Sequence, residues 1–574
     1  MKNKVKLTEY IKGSRIQCVL APLFKMAEAT LELFVPLVIA SLIDTGIANG
    51  DKSFILKRCA LLVLLGTAGL AFSITAQYFA ASAAVGFVRR LRHSLFEKIS
   101  RLSFDKLDSA GTSTLITRMT SDTDSIQNGI NLGLRLLLRS PFVVFGAMIM
   151  AFTVDANAAM TFVIIIPALS VVVFGIMLIC IPLNKKVRAA LDKVLCTAKE
   201  SLTGARVIRA FGKEKEQTEE FENRNSALTS IQEHTGRISA LLNPLTCVII
   251  NIGIAVLIYK GAVRVDSGLI STGAVVALYN YMSQILVELI KLANLIITIT
   301  KSVACASRVR DVLSLEDEEE PEIFDPDENA PVVEFRNVSF AYGGSAENSL
   351  EEISFKAFKG ETIGIIGSTG SGKTTLINLI PAFYKASSGS VLFKGMDVSG
   401  ISKEKLRSLI AVVPQKAMLF KGSIRKNLLW GSENASDEEI YSALEAAQAK
   451  NFVLEKGGID SEVEQNGRNF SGGQKQRLTV ARALIKKADV LIFDDSSSAL
   501  DYATDAAMRK AINEKYPETV RFIVSQRTSS IMHADKIIVL EDGRASVGTH
   551  DELMKSSEVY REIHLSQFDE EVAE

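Results

Sequence analysis

Four stretches of 21 to 30 residues in this 574-residue chain contain no Asp, Glu, Lys or Arg. They are residues 59–88, 156–184, 238–259 and 267–287. A helix rises about 1.5 Å per residue, so about 20 apolar residues cross the ~30 Å hydrocarbon layer of a bilayer. The four stretches therefore predict membrane-spanning helices, and they exclude a soluble protein.

Two further apolar stretches, residues 16–47 and 132–154, bring the number of predicted spans to six. They are interrupted by Lys25, Glu28, Glu32, Arg135 and Arg139. Glu288 and Lys291 lie within the sixth span. Charged side chains are costly inside a membrane and often functional, so Glu28, Glu32, Glu288 and Lys291 indicate a polar, water-accessible substrate pathway. The alternatives are structural ion pairs or a helix face turned to water.

The connections between the six spans alternate in length. Residues 46–58, 155–157 and 260–266 form short links, whereas residues 89–129 and 185–237 form long ones. Arg and Lys cluster where the long connections leave the membrane, and also at the N-terminus, so the positive-inside rule places them all in the cytoplasm. We expect a plasma-membrane protein with both termini cytoplasmic, whose helices extend beyond the bilayer into the cytosol.

The net charge of zero conceals two differently charged halves. Residues 1–310 carry 35 basic and 21 acidic side chains, whereas residues 311–574 carry 30 and 44. We therefore expect a transmembrane domain at residues 1–312, an acidic and proline-containing linker at 313–331, and a soluble domain at 332–574. The balanced total gives no indication of a nucleic-acid partner.

Short β-rich segments alternate with helical patterns after the linker. We predict strands at residues 332–340, 361–366, 409–413, 490–493, 521–524 and 536–540. This alternation is typical of an α/β domain with a mainly parallel sheet.

A glycine-rich motif of the form GxxxxGKT follows directly after the second predicted strand. Its backbone N–H groups and the start of the next helix can surround phosphates. Lys373 can neutralise β- and γ-phosphate oxygens, and the Thr374 hydroxyl can bind Mg²⁺. The predicted nucleotide contacts are Gly367, Ser368, Thr369, Gly370, Ser371, Gly372, Lys373, Thr374 and Thr375.

Two more motifs accompany the phosphate loop in the second half of the chain. Asp494 ends an apolar strand, where a carboxylate can organise Mg²⁺. Residues 470–474 read Phe-Ser-Gly-Gly-Gln and precede it. This motif resembles the signature of ATP-binding-cassette (ABC) proteins. With six preceding spans, residues 1–568 resemble a half-transporter of the ABC exporter family, which has a multi-pass α-helical membrane domain followed by an α/β P-loop cassette.

The resemblance implies that two chains dimerise head to tail, with ATP and Mg²⁺ as cofactors. Each ATP then lies between the phosphate loop of one chain and the signature of the other. Tyr342 resembles the aromatic residue that stacks on adenine, and Gln415 the glutamine that senses Mg²⁺ together with Thr374 and Asp494. The implied contacts to the partner's nucleotide are Ser471, Gly472, Gly473 and Gln474. Residues 498–501 resemble the loop that crosses between the two sites.

Two residues depart from the family pattern. Asp495 stands where the family usually has the Glu that polarises water, and Gln526 stands where it usually has a switch His. A carboxylate withdrawn by about 1 Å can lose ~10²-fold in rate. Gln526 also lacks the geometry and titration range of an imidazole. We expect slow hydrolysis at this chain's phosphate loop, as in the degenerate-site subunit of heterodimeric bacterial multidrug exporters. The alternative is a working homodimer in which both changes are harmless.

The long connections should couple the cassette to the membrane domain. Residues 104–114 are the expected contact in the first connection, and residues 209–213 in the second. By resemblance, the second connection reaches the partner's cassette, where Phe211 could anchor near that chain's Gln415. The alternative for Phe211 is local packing on a helix surface.

The sequence leaves the substrate open. Drugs, lipids and peptides are all compatible, and Glu28, Glu32 and Glu288 favour cationic, amphipathic compounds. We expect the partners to be a second half-transporter chain, membrane lipid and a small amphipathic substrate. The alternatives to a heterodimeric exporter are a homodimeric exporter of lipid or peptide and an ATP-gated membrane sensor without net transport.

Overall fold

The computed structural model describes residues 6–317, 325–343, 347–496 and 500–568. The chain divides into two compact units, one of Met1–Ser100 with Ser113–Leu315 and one of Arg101–Thr112 with Glu316–Glu574. A short piece of the first long connection thus belongs to the same unit as the soluble half. Residues 318–324 of the predicted linker, and Ser498 and Ala499 of the predicted crossing loop, lie outside the described residues.

The described residues before the linker are mainly helical and contain no strand. The helices are α1 (Arg15–Ser41), α2 (Lys52–Ser100), α3 (Phe104–Ala110), α4 (Thr112–Thr117), α5 (Thr123–Leu136), α6 (Arg139–Val154), α7 (Ala156–Thr203), α8 (Ala205–Ala210), α9 (Glu214–Ala240), α10 (Leu242–Asp266) and α11 (Thr272–Leu313).

Six helical segments in the described residues are long and apolar enough to cross a membrane, which confirms the six predicted spans. They run from 41 to 53 residues each. About 20 residues are enough to cross a bilayer, so each segment is long enough to extend well beyond the hydrocarbon layer. The segments are Leu7–Ile47, Lys52–Ser100, Thr112–Val154, Ala156–Thr203, Glu214–Asp266 and Thr272–Leu313.

Small residues bring neighbouring membrane helices close together. On α2, Ala76, Ala80 and Ala84 are fully buried. A Cβ atom added to Gly129 on α5 would lie 2.1 Å from the Ser302 Oγ atom of α11, so only glycine fits at that crossing. Such close approach is how apolar helices gain packing energy where the solvent is itself hydrocarbon.

The second unit contains two main sheets and short helices. Its strands are β1 (Val333–Phe340), β2 (Leu350–Ala357), β3 (Thr362–Gly367), β4 (Ser388–Phe393), β5 (Met396–Asp397), β6 (Ile410–Val413), β7 (Gly422–Ser423), β8 (Glu462–Val463), β9 (Val490–Asp494), β10 (Val520–Val524), β11 (Lys536–Glu541) and β12 (Arg544–Gly548). Its helices are α12 (Lys373–Leu379), α13 (Lys403–Ser408), α14 (Ile424–Leu428), α15 (Asp437–Ala446), α16 (Lys450–Glu455), α17 (Gly472–Ile485), α18 (Tyr502–Lys515), α19 (His550–Ser556) and α20 (Glu558–Phe568).

The larger sheet has the order β12-β11-β3-β10-β9-β6. Its strands β11, β3, β10, β9 and β6 pair in parallel, and only β12 is antiparallel. This confirms the predicted α/β cassette with a mainly parallel sheet. Each of the six predicted strands is present, with bounds that differ by one residue or not at all at either end.

The second sheet was not predicted as a sheet. Strands β2, β1, β4 and β5 form it with antiparallel pairing. Only its strand β1 was predicted, and its partners are harder to recognise: β2, for example, carries two glutamates directly after Leu350. The face of this sheet packs with the parallel sheet and α12 in one hydrophobic core.

Candidate nucleotide-binding site

Three parallel strands carry the predicted catalytic groups to one edge of the larger sheet. In the register of the sheet, Val524 on β10 pairs with Ile365 on β3 and with Asp494 on β9. The phosphate loop follows β3, Asp495 follows β9, and Gln526 follows β10 two residues after its end. The carboxyl ends of parallel strands form the usual ligand-binding edge of such sheets.

The phosphate loop adopts the backbone that its glycines allow. Gly370 and Gly372 have φ values of +88° and +96°, a region that other residues rarely adopt. A Cβ atom on Gly372 would also lie 2.7 Å from the Ser349 carbonyl oxygen. Gly372 is the residue before α12, so the loop directs the first turn of that helix, with its unpaired N–H groups, at the same place.

Lys373 lies along this loop, where its Nζ atom donates to the carbonyl oxygens of Gly367 and Ser368 at 2.9 and 2.7 Å. Burial lowers the pKa of Lys373, while the neighbouring Asp495 and Asp494 act in the opposite direction. Ser371 is buried, and its Oγ atom has no hydrogen-bond partner among the described residues. An ammonium group, a hydroxyl without a partner and the first-turn N–H groups of α12 are a donor set that fits phosphate oxygens.

Thr374 and Asp494, two of the residues expected to bind Mg²⁺, contact each other. The Thr374 Oγ1 atom lies 3.1 Å from Asp494 Oδ1 and 3.3 Å from Oδ2. Burial raises the pKa of Asp494, and the hydrogen bond from Thr374 acts against this rise. A hydroxyl and a carboxylate this close are hard oxygen ligands that fit Mg²⁺ held together with substrate phosphates.

Asp495 and Gln415 also contact each other. The Gln415 Nε2 atom donates to Asp495 Oδ2 at 3.3 Å. Asp495 is 9% exposed and has a φ of +46°, a left-handed conformation that Asp tolerates better than most residues. Burial raises the pKa of the Asp495 carboxyl, opposed by the bond from Gln415 and the charge of Lys373. The predicted Gln415, Asp494 and Asp495 are therefore brought together.

Gln526 is exposed, and its backbone is held by a residue that the sequence did not point to. The Gln567 Nε2 atom on α20 donates to the Gln526 carbonyl oxygen at 2.7 Å. The Gln567 Oε1 atom accepts from the Thr528 N–H at 2.8 Å and from the Thr528 hydroxyl at 3.0 Å. The side chain of Gln567 thus clamps the segment that carries Gln526. A contact across 41 residues in an ordinary amphipathic helix leaves no local sequence signal.

Tyr342 lies beside the phosphate-loop helix. Its ring is 38% exposed, and its hydroxyl lies 3.0 Å from Thr375 Oγ1. Tyr384 meets it edge to face at 5.3 Å between ring centroids. An exposed, fixed aromatic face next to the loop suits stacking on a base. Thr375, predicted as a nucleotide contact, is buried, and its hydroxyl bonds to Tyr342.

The signature forms the start of α17. Ser471 caps the helix, and its side chain and that of Gln474 bond each other's backbone N–H groups in a capping box. Ser471 and Gly472 are exposed, and an added Cβ on Gly472 would meet no atom within 4 Å. Asp501, from the predicted crossing loop, caps α18 through the Thr504 N–H. An exposed helix start with small residues suits a phosphate contact from a second molecule.

The first long connection contacts the cassette where it was expected to. On α3, the Phe104 ring lies 4.5 Å from the Phe383 ring, and Asp108 accepts a hydrogen bond of 2.5 Å from the Tyr384 hydroxyl. Both residues fall within the predicted contact segment 104–114, and both partners belong to the same compact unit.

A membrane-embedded helical region fused to a P-loop nucleotide-binding domain defines a class of ATP-driven membrane proteins. Comparisons with known proteins identify the family within this class. A family profile described as the ABC transporter transmembrane region matches residues 18–289, and one described as ABC transporter matches residues 350–498. The uncharacterized ABC transporter ATP-binding protein YfiB of Bacillus subtilis is 33% identical over 571 residues, which is 99% of each chain. The chain belongs to the ABC transporter family.

Two further similarities add detail. An ATP-dependent lipid A-core flippase of Syntrophus aciditrophicus is 30% identical over 494 residues, covering 84% of this chain and 81% of that protein. A structure of a bacterial Atm1-family ABC exporter with ATP bound superposes with a TM-score of 0.80 at 22% identity, over 97% of this chain and 98% of that one. The fold is therefore that of an ABC exporter half-transporter, a multi-pass membrane protein whose ATPase domain implies ATP binding, typically with Mg²⁺.

Proposed function

We propose that this chain is one subunit of a heterodimeric ATP-driven exporter that moves amphipathic small molecules, drugs or lipids, out of the cytoplasm. Its own phosphate loop forms a degenerate site that binds ATP and hydrolyses it slowly. Hydrolysis occurs mainly at the second site, which the partner's phosphate loop forms with the signature of this chain. Both termini lie in the cytoplasm, and the complex resides in the plasma membrane.

The observation that carries the proposal is the pair Asp495 and Gln526 at one edge of the sheet. Asp495 bonds Gln415 and follows Asp494 directly, which supports a role for its carboxylate in orienting water. Its side chain is one methylene shorter than that of Glu. Displacement of a catalytic group by about 1 Å can cost ~10²-fold in rate.

Gln526 adds a second defect at the same site. An imidazole can donate a hydrogen bond to a phosphate oxygen as a cation or in a chosen tautomer, whereas an amide stays neutral at every pH. The amide can still hydrogen-bond a phosphate. This combination favours retention of ATP over its hydrolysis.

The signature retains the features that a working second site would need. Ser471 is fixed by its capping box, and the adjoining Gly472 leaves open space in front of the helix start. The partner would contribute its own phosphate loop, with Glu and His at the positions equivalent to Asp495 and Gln526.

The second long connection carries an exposed aromatic side chain for contact with that partner. Phe211, at the end of α8, is 75% exposed. Five residues beyond Gln415, Phe420 stacks on Trp430 at 4.4 Å, and both rings are partly exposed. A pair of stacked rings equivalent to Phe420 and Trp430 on the partner would bind the Phe211 side chain. Closure of the two cassettes would then draw the long connections together and open the transport pathway to the outside.

A homodimeric exporter of lipid or peptide is the second candidate, because a relative across most of the chain is named a lipid flippase. An ATP-gated sensor is the third. Substrate-stimulated ATPase and ATP-dependent flux into inside-out vesicles would exclude the sensor. A neighbouring reading frame that encodes a half-transporter with the missing Glu and His would favour the heterodimer.

Restoration of the two residues tests the degenerate site directly. We expect the purified wild-type chain to show little ATPase, and Asp495→Glu combined with Gln526→His to raise it by about tenfold to a hundredfold. Asp495→Asn with Gln526→His is the matched control, because it restores the imidazole without a carboxylate and should stay inactive. Wild-type turnover equal to that of the restored variant would overturn the degenerate site and favour the homodimer.

A further inference from the structure

A cavity of about 300 Å³ lies among the membrane helices α1, α6 and α11 of the first unit. Its lining includes aliphatic side chains such as Ile39 and Val143. It also includes the polar side chains of Asn280, Ser283 and Gln284 on α11. The Gln284 Oε1 atom is buried and accepts no hydrogen bond from the described residues. A cavity lined by both aliphatic and polar side chains suits an amphipathic molecule.

A network of four charged side chains adjoins this cavity. Arg139 donates from Nη1 to Glu288 Oε1 at 2.5 Å and from Nη2 to Glu32 Oε2 at 2.6 Å. Lys291 donates to the same Glu288 oxygen at 2.9 Å, and Ser140 donates to its other oxygen at 2.8 Å. Two positive and two negative charges make the network neutral.

The third glutamate of these helices is also paired. Glu28 accepts a hydrogen bond of 2.5 Å from Lys25. The expectation of a cationic substrate rests on Glu28, Glu32 and Glu288, for which structural ion pairs are the alternative. The structure places a basic partner beside each of them, which removes the excess charge on which that expectation depends.

Only two members of the network are open to a ligand. The side chains of Arg139 and Glu288 are 6% and 4% exposed, whereas those of Glu32 and Lys291 are both 43% exposed. Glu32, Glu288 and Lys291 line the cavity. A molecule in the cavity therefore meets one accessible carboxylate and one accessible ammonium group, backed by a buried ion pair.

The neutrality of the network decides which ligand charge fits. An unpaired charge in a low-dielectric interior has a high free-energy cost. Because the network is neutral, a ligand with a net positive or negative charge would add such an unpaired charge. A ligand with one charge of each sign can pair both accessible groups and add none. We propose that this cavity binds the head group of a zwitterionic amphiphile, its cationic group at Glu32, its anionic group at Lys291 and its tail against the aliphatic side chains. The role of this ligand as exported substrate rests on the proposed function, but its binding does not.

The test uses amphiphiles that share a twelve-carbon tail and differ in head-group charge. The purified full-length chain in maltoside micelles, without nucleotide, is titrated with dodecylphosphocholine, dodecyltrimethylammonium or dodecyl phosphate. The rise of Tm with concentration gives the apparent Kd. We expect the zwitterion to bind the wild type about tenfold more tightly than either charged probe. A short-chain diacyl phosphocholine, run in parallel, distinguishes a bilayer lipid from a single-chain amphiphile.

Two variants should change the preference in opposite directions. Lys291→Gln leaves one accessible carboxylate and should favour the cation, whereas Glu32→Gln leaves one accessible ammonium group and should favour the anion. Both keep the buried Arg139 and Glu288 pair, so both should fold. Lys301→Gln, an exposed site on the same helix, is the matched control and should keep the wild-type order.

The same order of affinities in all variants, or a cation bound most tightly by the wild type, would overturn the proposal. Flux is measured separately. Changes of head-group preference in opposite directions in the two variants, without ATP-dependent flux of the zwitterion, would support the binding site and contradict the export function.

Discussion

Tyr384 connects the nucleotide-binding edge of the cassette with the piece of the first long connection that packs there. Its ring meets Tyr342 at 5.3 Å and Phe104 at 6.4 Å, and its hydroxyl donates to Asp108. Burial and the Asp108 charge raise the pKa of Tyr384 above its ordinary value. The phenol therefore stays protonated, and remains a donor, throughout the pH range in which the protein works.

We predict that this hydrogen bond anchors α3. Tyr384→Phe keeps the ring packing and removes only the donor, and Asp108→Asn removes the charge. Tyr384→Phe should increase tryptic cleavage at Lys106 by about tenfold or more and Asp108→Asn by less, because a bond to a charged group contributes about 1.5–3 kcal/mol. Mass spectrometry of timed digests measures the rate.

The double variant should be no worse than Tyr384→Phe alone, since that change already removes the hydrogen bond that Asp108→Asn weakens. Tyr502→Phe, at an exposed tyrosine of the same unit, should leave the rate unchanged. Additive effects of Tyr384→Phe and Asp108→Asn would show that the two side chains act separately.

At the scale of elements, the predictable parts were those with strong local patterns. The uncharged spans, the phosphate loop after β3 and Asp494 at the end of β9 each follow from a few adjacent residues. The antiparallel sheet and the clamp by Gln567 do not, because they depend on pairings between distant segments. The ion pairs between membrane helices could not be predicted from the sequence either, because Arg139 and Glu288 lie 149 residues apart.

Helix α20 should control the mobility of the segment that carries Gln526. Gln567→Ala removes three hydrogen bonds, including the acceptor for the Thr528 N–H. We expect hydrogen exchange in the peptide that contains Thr528 to accelerate by at least about fivefold, the effect of ~1 kcal/mol. Glu562→Ala, an exposed position on the same helix, is the control.

Gln567→Glu separates the two halves of the clamp. It keeps an acceptor for Thr528 and loses the donor to the Gln526 carbonyl oxygen, so its exchange rate should lie between those of the wild type and Gln567→Ala. If Gln567→Ala exchanged at the wild-type rate, the clamp would not limit the motion of this segment.

At the scale of the whole molecule, the proposed asymmetry predicts unequal effects of equivalent changes. Lys373→Ala should abolish ATP binding at this chain's phosphate loop, because Lys373 is the cation of that loop. In the complex with its partner, most ATPase activity should remain. The equivalent lysine change in the partner should abolish it, and steady-state phosphate release measures both. Equal losses in the two complexes would contradict the asymmetry.

The parallel strands β3, β9 and β10 lie side by side in the larger sheet, and Asp495 and Gln526 lie in the segments that follow two of them. An exchange at the tip of such a strand can alter chemistry without disturbing the fold. Under the proposed function, two copies of one ancestral subunit could thus diverge. One copy keeps the Glu and His that hydrolyse ATP, and the other comes to retain ATP instead. In this fold, exchanges at the positions of Asp495 and Gln526 would be enough to give the two subunits of a heterodimer different roles.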